Sequence, residues 1–594
     1  MASSVTTQTV RPLDGLDLES SGPPELVGLV AQHLRLLGAR VSPEPAEPQS
    51  ATNAQTVLSG QGMLPVEAEV SWSDPASKIT DEATVQAATG IMAVHGRRVG
   101  TPRGLAVDYA TTAASVLTVQ GILAGLLRQL RGGTTSRVGT RVDRAGLLTV
   151  SQYLAAAGAD EGEATQLAPG GPPFTDADGT LFELETLDPG AWAVFWRALE
   201  APPEAIRDGW RPFQFRYATA CAPFPHALHM TVRAHPWQRI LQAAAVSGAE
   251  VCPLGTLAGR AAEHDWAPPW SLTPHGAGRH LAPTVPPTVE RPLAGLTVLE
   301  AGRRIQAPLT AHLLGLLGAD VIRIEPPGGD PLRGMPPACS GVSARWLALN
   351  RGKQAMEVDI KAEPDRRRLR EMAAEADVFL HNWAPGKAAR FGLDADHLAA
   401  VNPALVYAYT SGWADRIVGA PMGTDFMVQA RTGVGEAVHP AGEPPAPSLM
   451  TLLDVLGGLL GTEAVLAGLL LRERNRQGVR VDSSLLGAAD VLTAPALRRA
   501  AEGANARRPA GFRHPLRTSD GWIAPTDACA EAASAHDLRG LSTHDALARL
   551  NAHGLSATAV TTDLAELHHD PRFAGSIGRD AHGAPAVPDP WSFI

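Results

Sequence analysis

Residues 293–326 read LAGLTVLEAGRRIQAPLTAHLLGLLGADVIRIEP, and the order of patterns in this stretch decides the fold class. LTVLEAG (296–302) is a short apolar run of strand type, PLTAHLLGLLGA (308–319) a helix with Pro308 near its first turn and Gly318 at its end, and DVIRIEP (320–326) a second strand. Further on, helical RRRLREMAAEA (366–376) precedes the strand-like ADVFLHN (376–382), and ALVYAYTSG (404–412) adds another. Strands alternating with helices predict a largely parallel sheet with crossover helices, an α/β Rossmann-like layer. No GxGxxG follows the first strand, so a dinucleotide fingerprint is absent.

The same patterns occur earlier in the chain. LDGL (13–16) and LLGARV (36–41) match LAGL (293–296) and LLGADV (316–321) at one offset, 280 residues. VQAATG (85–90) and LAGLL (123–127) match VQARTG (428–433) and LAGLL (466–470) at 343, and DG at 178–179 matches DG at 520–521 at 342. The rise from 280 to 343 means that the first copy lacks 63 residues held by the second between about 322 and 427. Near the end, Gly248 pairs with Gly554 at 306, so the second copy lacks about 36 residues of the first. Reciprocal trimming predicts two copies folding together as an intertwined intrachain pseudo-dimer with one composite site. The expected division is a degenerate copy at 1–266, a Pro-rich linker at 267–292 and a complete copy at 293–594.

Composition narrows the partners. The 594 residues exceed one ordinary core, and a formal charge of -10 argues against a general nucleic-acid binder. Cys221, Cys252, Cys339 and Cys529 lie far apart without CxxC or Cys/His spacing, so neither a disulfide framework nor a metal site is expected. The start, MASSVTTQTVRPLDG, lacks a basic segment followed by an apolar one, so no secretory signal is expected and the cytoplasm is the expected compartment. The run Leu449 to Leu471 is long enough to imitate a membrane span but carries Asp454 and Glu463, and it reads as a buried helix.

Seven motifs now stand in order: LAGLTVLEAGRRIQAP, LLGADVIRIEPPGGDPLRG, LNRGKQAMEVDIK, ADVFLHNWAPG, VNPALVYAYTSG, GTDFMVQARTG and RNRQGVRVDSSLL. The series, covering nearly all of 293–525, resembles the family III CoA-transferases, of the formyl-CoA:oxalate and carnitine CoA-transferase kind, and their relatives the 2-methylacyl-CoA racemases. The resemblance implies a Rossmann-like large domain with a smaller α+β domain. It implies an acyl-CoA donor and a carboxylic acid acceptor, with coenzyme A as substrate and carrier and no metal. A fused pair of copies implies a monomer in place of the usual homodimer.

In that family an aspartate opens the helix that ends in the turn before GVRV, and counting back from Gly478 places it at Asp454. The residues agree: Asp454 is a carboxylate inside an apolar run, followed by Gly457 and Gly458, and a helix start favours its charge. A helix-capping role is the plainer alternative. The resemblance further implies CoA contacts from Ile305, Gln306, Ala307, Lys361, Asn382, Trp383 and Arg390, with Thr424 and Asp425 beside them. Arg303, Arg304, Arg333 and Arg351 are phosphate candidates or solvated surface residues, and His381 reads as a packed residue. The offset of 343 sets Thr111, not an acid, opposite Asp454, with Asp108 three positions away, so one active site per chain is expected.

Two rivals are open. A racemase needs two acid/base groups, and Thr424 stands where the racemases of this family carry His. A non-catalytic CoA-binding protein is the other. The run of four glycines placed by formyl-CoA transferases over their site is absent. Seven of the twelve tryptophans lie ahead of the second copy, where a cationic substrate such as a betaine would use them by cation–π contact, unless they serve the core.

Overall fold

The apolar runs at 296–302, 320–326, 376–382 and 404–412 all form strands. A computed structural model describes residues 11–42, 53–60, 62–134, 136–163, 165–276 and 285–594. Residues 1–10 of the start read for a leader, and 277–284 of the Pro-rich stretch, lie outside the described residues. In the first half, Asp17–Ser21 (β1), Arg40–Val41 (β2), Ala54–Gly60 (β3), Met63–Ser71 (β4) and Ser136–Arg141 (β5) build one sheet. Then come Trp270–His275 (β6), Thr297–Ala301 (β7), Asp320–Glu325 (β8), Gln354–Glu357 (β9), Val378–His381 (β10), Val406–Ser411 (β11), Gly478–Ser484 (β12) and Trp591–Phe593 (β13). The helices that matter most are Glu82–Ala88 (α1), Tyr109–Leu130 (α2), Gln306–Leu316 (α3), Asp425–Arg431 (α4) and Leu452–Asn475 (α5).

The second sheet runs β9-β8-β7-β10-β11-β12-β6, parallel throughout except for β6 at its edge. Strand order therefore reverses between β7 and β10, which opens a crevice beyond their carboxyl ends. The first sheet, β2-β1-β3-β4-β5-β13, keeps the parallel pairs β1/β2 and β4/β5 but inserts antiparallel β3 between them. This single strand takes the place of β10, and β9 at the far edge has no counterpart among the described residues, the structural form of the 63-residue omission. The first half thus retains no complete Rossmann-like layer, and its sheet is mixed.

Two edges are exchanged. Strand β6, which precedes the second half, closes the second sheet against β12, while β13 returns to pair with β5 of the first. The Pro-rich stretch 267–292 is accordingly not linker throughout: its residues 270–275 are an edge strand, the position where a strand tolerates Pro274.

Each half also carries a smaller α+β unit with three antiparallel strands, at 174–175, 181–185 and 250–253 in the first and 516–517, 522–525 and 557–559 in the second. Four helices fill the connection in the first and two short ones in the second, which is where the 36 residues reside. The aromatic surplus goes to packing: Trp192 and Trp196 are fully buried among Phe174, Phe182, Phe195 and Phe213 in the first small unit. Trp210 and Trp237 lean on that cluster, and the Trp270 indole donates to Glu463 at 3.1 Å. These five tryptophans thus follow the core-packing reading, whereas Trp266 is exposed.

The helices α2 and α5 pack side by side at the centre, and both are long and apolar enough to cross a membrane by composition, yet lie buried within the protein. A helix apolar on every side needs cover on every side, and α5 obtains it from α2, α3, β12 and the 485–501 helix. Helix α3 starts at Gln306, two residues before the expected Pro308, and ends one residue before Leu317, whose successor Gly318 (φ +102°) turns the chain back. A Cβ at Gly318 would stand 2.7 Å from the Arg291 Cβ, so conformation and space both require glycine.

Candidate functional site

Within Leu452–Leu471 of α5, Asp454 is the one residue that is not buried. Its backbone N–H donates to Asp425 Oδ2 at 2.7 Å, so Asp425 satisfies one of the unpaired donors of the helix start. Asp425 also accepts from Gln429 Nε2 at 2.5 Å, and Gln429 in turn donates to the Ser448 carbonyl and accepts from the Ser448 N–H. The capping alternative thus applies to Asp425, across from Asp454, and leaves the Asp454 carboxylate free: among the described residues no donor reaches it.

The charges around it are arranged unevenly. Burial pushes the Asp454 carboxyl up to about 6, with Arg304 pulling it down and Glu185 adding to the rise. Burial, and then Asp454 itself, drive Asp425 far above the usual carboxylate range. Burial thus raises both carboxyls, and Arg304 is the group that favours the charged form of Asp454. Glu185 comes from the first half, where Arg216 binds it at 3.0 Å, and it accepts from Thr424 Oγ1 at 2.8 Å. Glu250, also from the first half, accepts the Met422 N–H at 2.5 Å and latches the same loop. Tyr217, a third residue of the first half, has Arg304 5.4 Å from its ring centre.

A cleft of about 380 Å³ lies beyond β7 and β8, lined by Arg303, Arg304, Ile324, Asp330, Val358 and Trp383 among others, with Leu187 from the first half. A second hollow of about 370 Å³ shares Arg303, Pro326, Val358 and Ile360 with it and adds Lys361, Lys387, Arg390 and Phe391. The two form one groove at the crevice where strand order reverses. Its outer part is strongly basic: burial and then the charges of Arg303, Arg390 and Lys361 hold Lys387 below the usual lysine range. Asp359 is the one carboxylate in the lining of this hollow beside four cationic side chains, a balance that suits phosphate groups. Asp454 is not in the groove wall; Arg304 is the residue common to the groove and to the surroundings of Asp454.

The other expected residues are placed as follows. Asn382 exchanges two hydrogen bonds with the Arg303 backbone, at 2.8 and 2.9 Å, and so sets the loop after β7. Ile305 and Ala307 are buried at the start of α3, and Gln306 stands against α5, its Nε2 2.9 Å from a Cβ placed on Gly457. A Cβ on Gly458 would meet the Gln306 carbonyl and Leu309 at 3.0 Å, so both glycines serve the close approach of α3. Thr424 and Asp425 face Glu185 and α5, respectively, and line neither hollow of the groove. Arg333 is held by Glu325 at 2.8 Å and lies on the Trp346 ring, and Arg351 donates to two carbonyls, so neither is a free phosphate ligand. His381 is buried, paired with the Tyr407 hydroxyl at 2.6 Å and driven down to about 3 by burial. Among the described residues there is no cluster of three or more His, Cys, Asp or Glu able to hold a metal.

The first half repeats the arrangement with one change. Glu82 accepts the N–H groups of Ala110 and Thr111 at 2.9 and 2.8 Å, and Gln86 bonds Glu82 and the Leu105 and Val107 carbonyls. Glu82 thus matches Asp425, Gln86 matches Gln429, and Thr111 stands where Asp454 does. Its hydroxyl turns inward to Glu82 at 2.5 Å. Gln429, Glu185 and Leu187 were missed by sequence reasoning; only Gln429 had a signal there, as the shared Gln of VQAATG and VQARTG.

Known proteins bear on the same residues. The chain is 33% identical over 202 residues to succinyl-CoA:glutarate CoA-transferase of Mus musculus, a stretch covering 33% of this chain and 46% of that one. It is 32% identical over 250 residues to acetyl-CoA:oxalate CoA-transferase of Acetobacter aceti, covering 41% and 62%. The chain thus spans about half the length of the curated relatives it matches. Among solved structures, a CAIB/BAIF family protein from Brucella suis is similar at 27% identity with a TM-score of 0.45, over 50% of this chain and 91% of that one. The model of CoA-transferase family III matches residues 73–291 and again 293–578. Matched twice and over most of its length, the chain belongs to CoA-transferase family III.

Proposed function

We propose that the protein moves CoA from an acyl-CoA thioester to a carboxylic acid, with Asp454 as the covalent carrier. The observation that carries this is Asp454 itself: a carboxylate that no donor reaches among the described residues, on an otherwise buried helix, with Arg304 shared between its surroundings and a basic groove at the sheet's switch point. In this reading Lys361, Lys387 and Arg390 hold the nucleotide phosphates, Trp383 offers an apolar face, and Arg304 meets the reacting end.

The Asp454 carboxylate attacks the donor carbonyl, the C–S bond breaks, and CoA leaves as thiolate from a mixed anhydride. The thiolate then attacks the aspartyl carbonyl of the anhydride, releasing the donor acid and forming an aspartyl-CoA thioester. The acceptor carboxylate attacks that thioester, and the returning thiolate takes the acceptor acyl group and frees Asp454. Each step needs CoA retained beside the carboxylate, which the groove provides.

The copies at 1–266 and 293–594 are read as an intrachain counterpart of a dimer, one half supplying Asp454 and the groove, the other Glu185, Leu187 and Tyr217. Thr111 leaves one active site per chain. Mass spectrometry after incubation with succinyl-CoA, acetyl-CoA and oxalate, glutarate or malate tests the proposal. An acyl or CoA adduct on Asp454 is expected, and an unmodified Asp454 across the whole panel, with exchange still occurring, would sink it.

A further inference from the structure

The loss of the acid at Thr111 did not fill the space in front of it. A cavity of about 500 Å³ opens there, walled by the 24–36 helix, the start of α2 and the 485–501 helix of the second half. Leu29, Val107, Leu492 and Ala496 make its lining largely apolar. The Thr111, Thr112 and Ser115 hydroxyls in its floor are already spent on Glu82 and on backbone carbonyls. Of the two carboxylates in its lining, Asp108 is bound by Arg513 at 2.6 Å and Arg508 at 3.4 Å, and Glu25 lies exposed on the 24–36 helix.

Arginines crowd the rim, with Glu25 and Asp108 as its carboxylates. Arg35 donates to the Ala31 carbonyl, Arg498 to Gln32 at 3.4 Å, and Arg499 to the carbonyls of Asn505 and Ala506. Among the described residues none of these three has a carboxylate partner. Burial and then the neighbouring Arg508 hold Arg499 below the usual arginine range, against the opposing pull of Asp108.

We propose that this cavity is a second, non-catalytic site that binds an amphipathic organic carboxylate, its apolar body against Leu29 and Leu492 and its anionic head at Arg498 and Arg499. Apolar walls supply the burial energy and the guanidinium groups fix the head. A bare inorganic anion would leave the walls dry, and a neutral amide would leave the arginines unmatched. The site stands whether or not Asp454 carries an acyl group.

Gly28 gives a clean way to close it, since it lines the cavity inside a helix and a Cβ there meets nothing within 4 Å. Calorimetric titration of the full chain without acyl-CoA, using hexanoate, hexanamide and inorganic phosphate, is the test. Hexanoate binding that falls at least tenfold in Gly28→Leu and in the Arg498→Ala/Arg499→Ala pair, with unchanged melting, is the expected result. Equal hexanoate affinity in a folded variant overturns the site, and hexanamide or phosphate binding as tightly as hexanoate overturns the ligand class. Should one variant fail to fold, the other decides.

Discussion

The carboxylate of Asp425 accepts the backbone N–H of Asp454 at 2.7 Å, and its own hydrogen-bond donor is Gln429. The acid that varies between the halves is therefore held by a device that does not: Glu82 and Gln86 do the same for Thr111.

Replacing Asp425 with Ala leaves the N–H of Asp454 unpaired in a buried setting, which costs about 1–3 kcal/mol. A lowered denaturation midpoint with loss of exchange is expected, while Asp425→Asn, which keeps an acceptor oxygen, retains most of the stability. Urea melts of both variants check the difference.

Asp454→Ala is expected to lower exchange by roughly 10³-fold or more while CoA still binds in the groove, because the proposed mechanism uses the carboxylate in bond making and not in holding phosphates. Equilibrium binding of CoA and acyl exchange, measured on the same variant, separate an enzyme from a binding protein. With Thr424 where a racemase needs a second base, no deuterium from solvent should appear at the α-carbon of 2-methylacyl-CoA.

In the proposed mechanism the nucleophile is the ionised form of Asp454, whose carboxyl burial raises to about 6, so kcat/KM is expected to rise as pH climbs through about 6 and to level off above it. The midpoint belongs to the coupled Asp454–Asp425 pair. Arg304 favours the ionised form, so Arg304→Gln moves the midpoint to higher pH; Glu185 opposes it, so Glu185→Gln moves it lower. Profiles that shift in the same direction would contradict the assignment of charges.

In the groove, Lys387→Ala is expected to weaken CoA binding by about tenfold or more, the worth of one charge-assisted hydrogen bond, and to flatten its dependence on salt. Titration at two ionic strengths shows both effects.

Gly458→Ala sets a Cβ 3.0 Å from the Gln306 carbonyl, a backbone atom with little room to retreat. Overpacking of this kind costs about 1–3 kcal/mol and moves α3, so stability and exchange should fall together.

Much of this was legible in the chain because periodicity and repetition are local. The strand-helix alternation after Leu293 gave the parallel sheet, and a constant offset paired Thr111 with Asp454, a pairing the Glu82 and Asp425 bonds repeat. What stayed hidden is long-range. Glu185 and Leu187 reach the site from the other half, and nothing in their own neighbourhood of sequence marks them. Strand β6 lies in a stretch whose prolines, Pro268 and Pro269 before it and Pro274 within it, suggest a linker, although an edge strand accepts Pro274. Asn382 and Arg303 carry residue types that suit ligand contact equally well, and only coordinates show one spent on fixing the other.

The exchanged edges bear on how the polypeptide emerges from the ribosome. Strand β13 seals β5, and Trp591 donates to the Leu117 carbonyl across 474 residues of chain. Until translation passes Trp591, the early sheet presents a bare border of amide groups open to pairing with a stranger, so the nascent form is the aggregation-prone one and chaperone demand should track its lifetime.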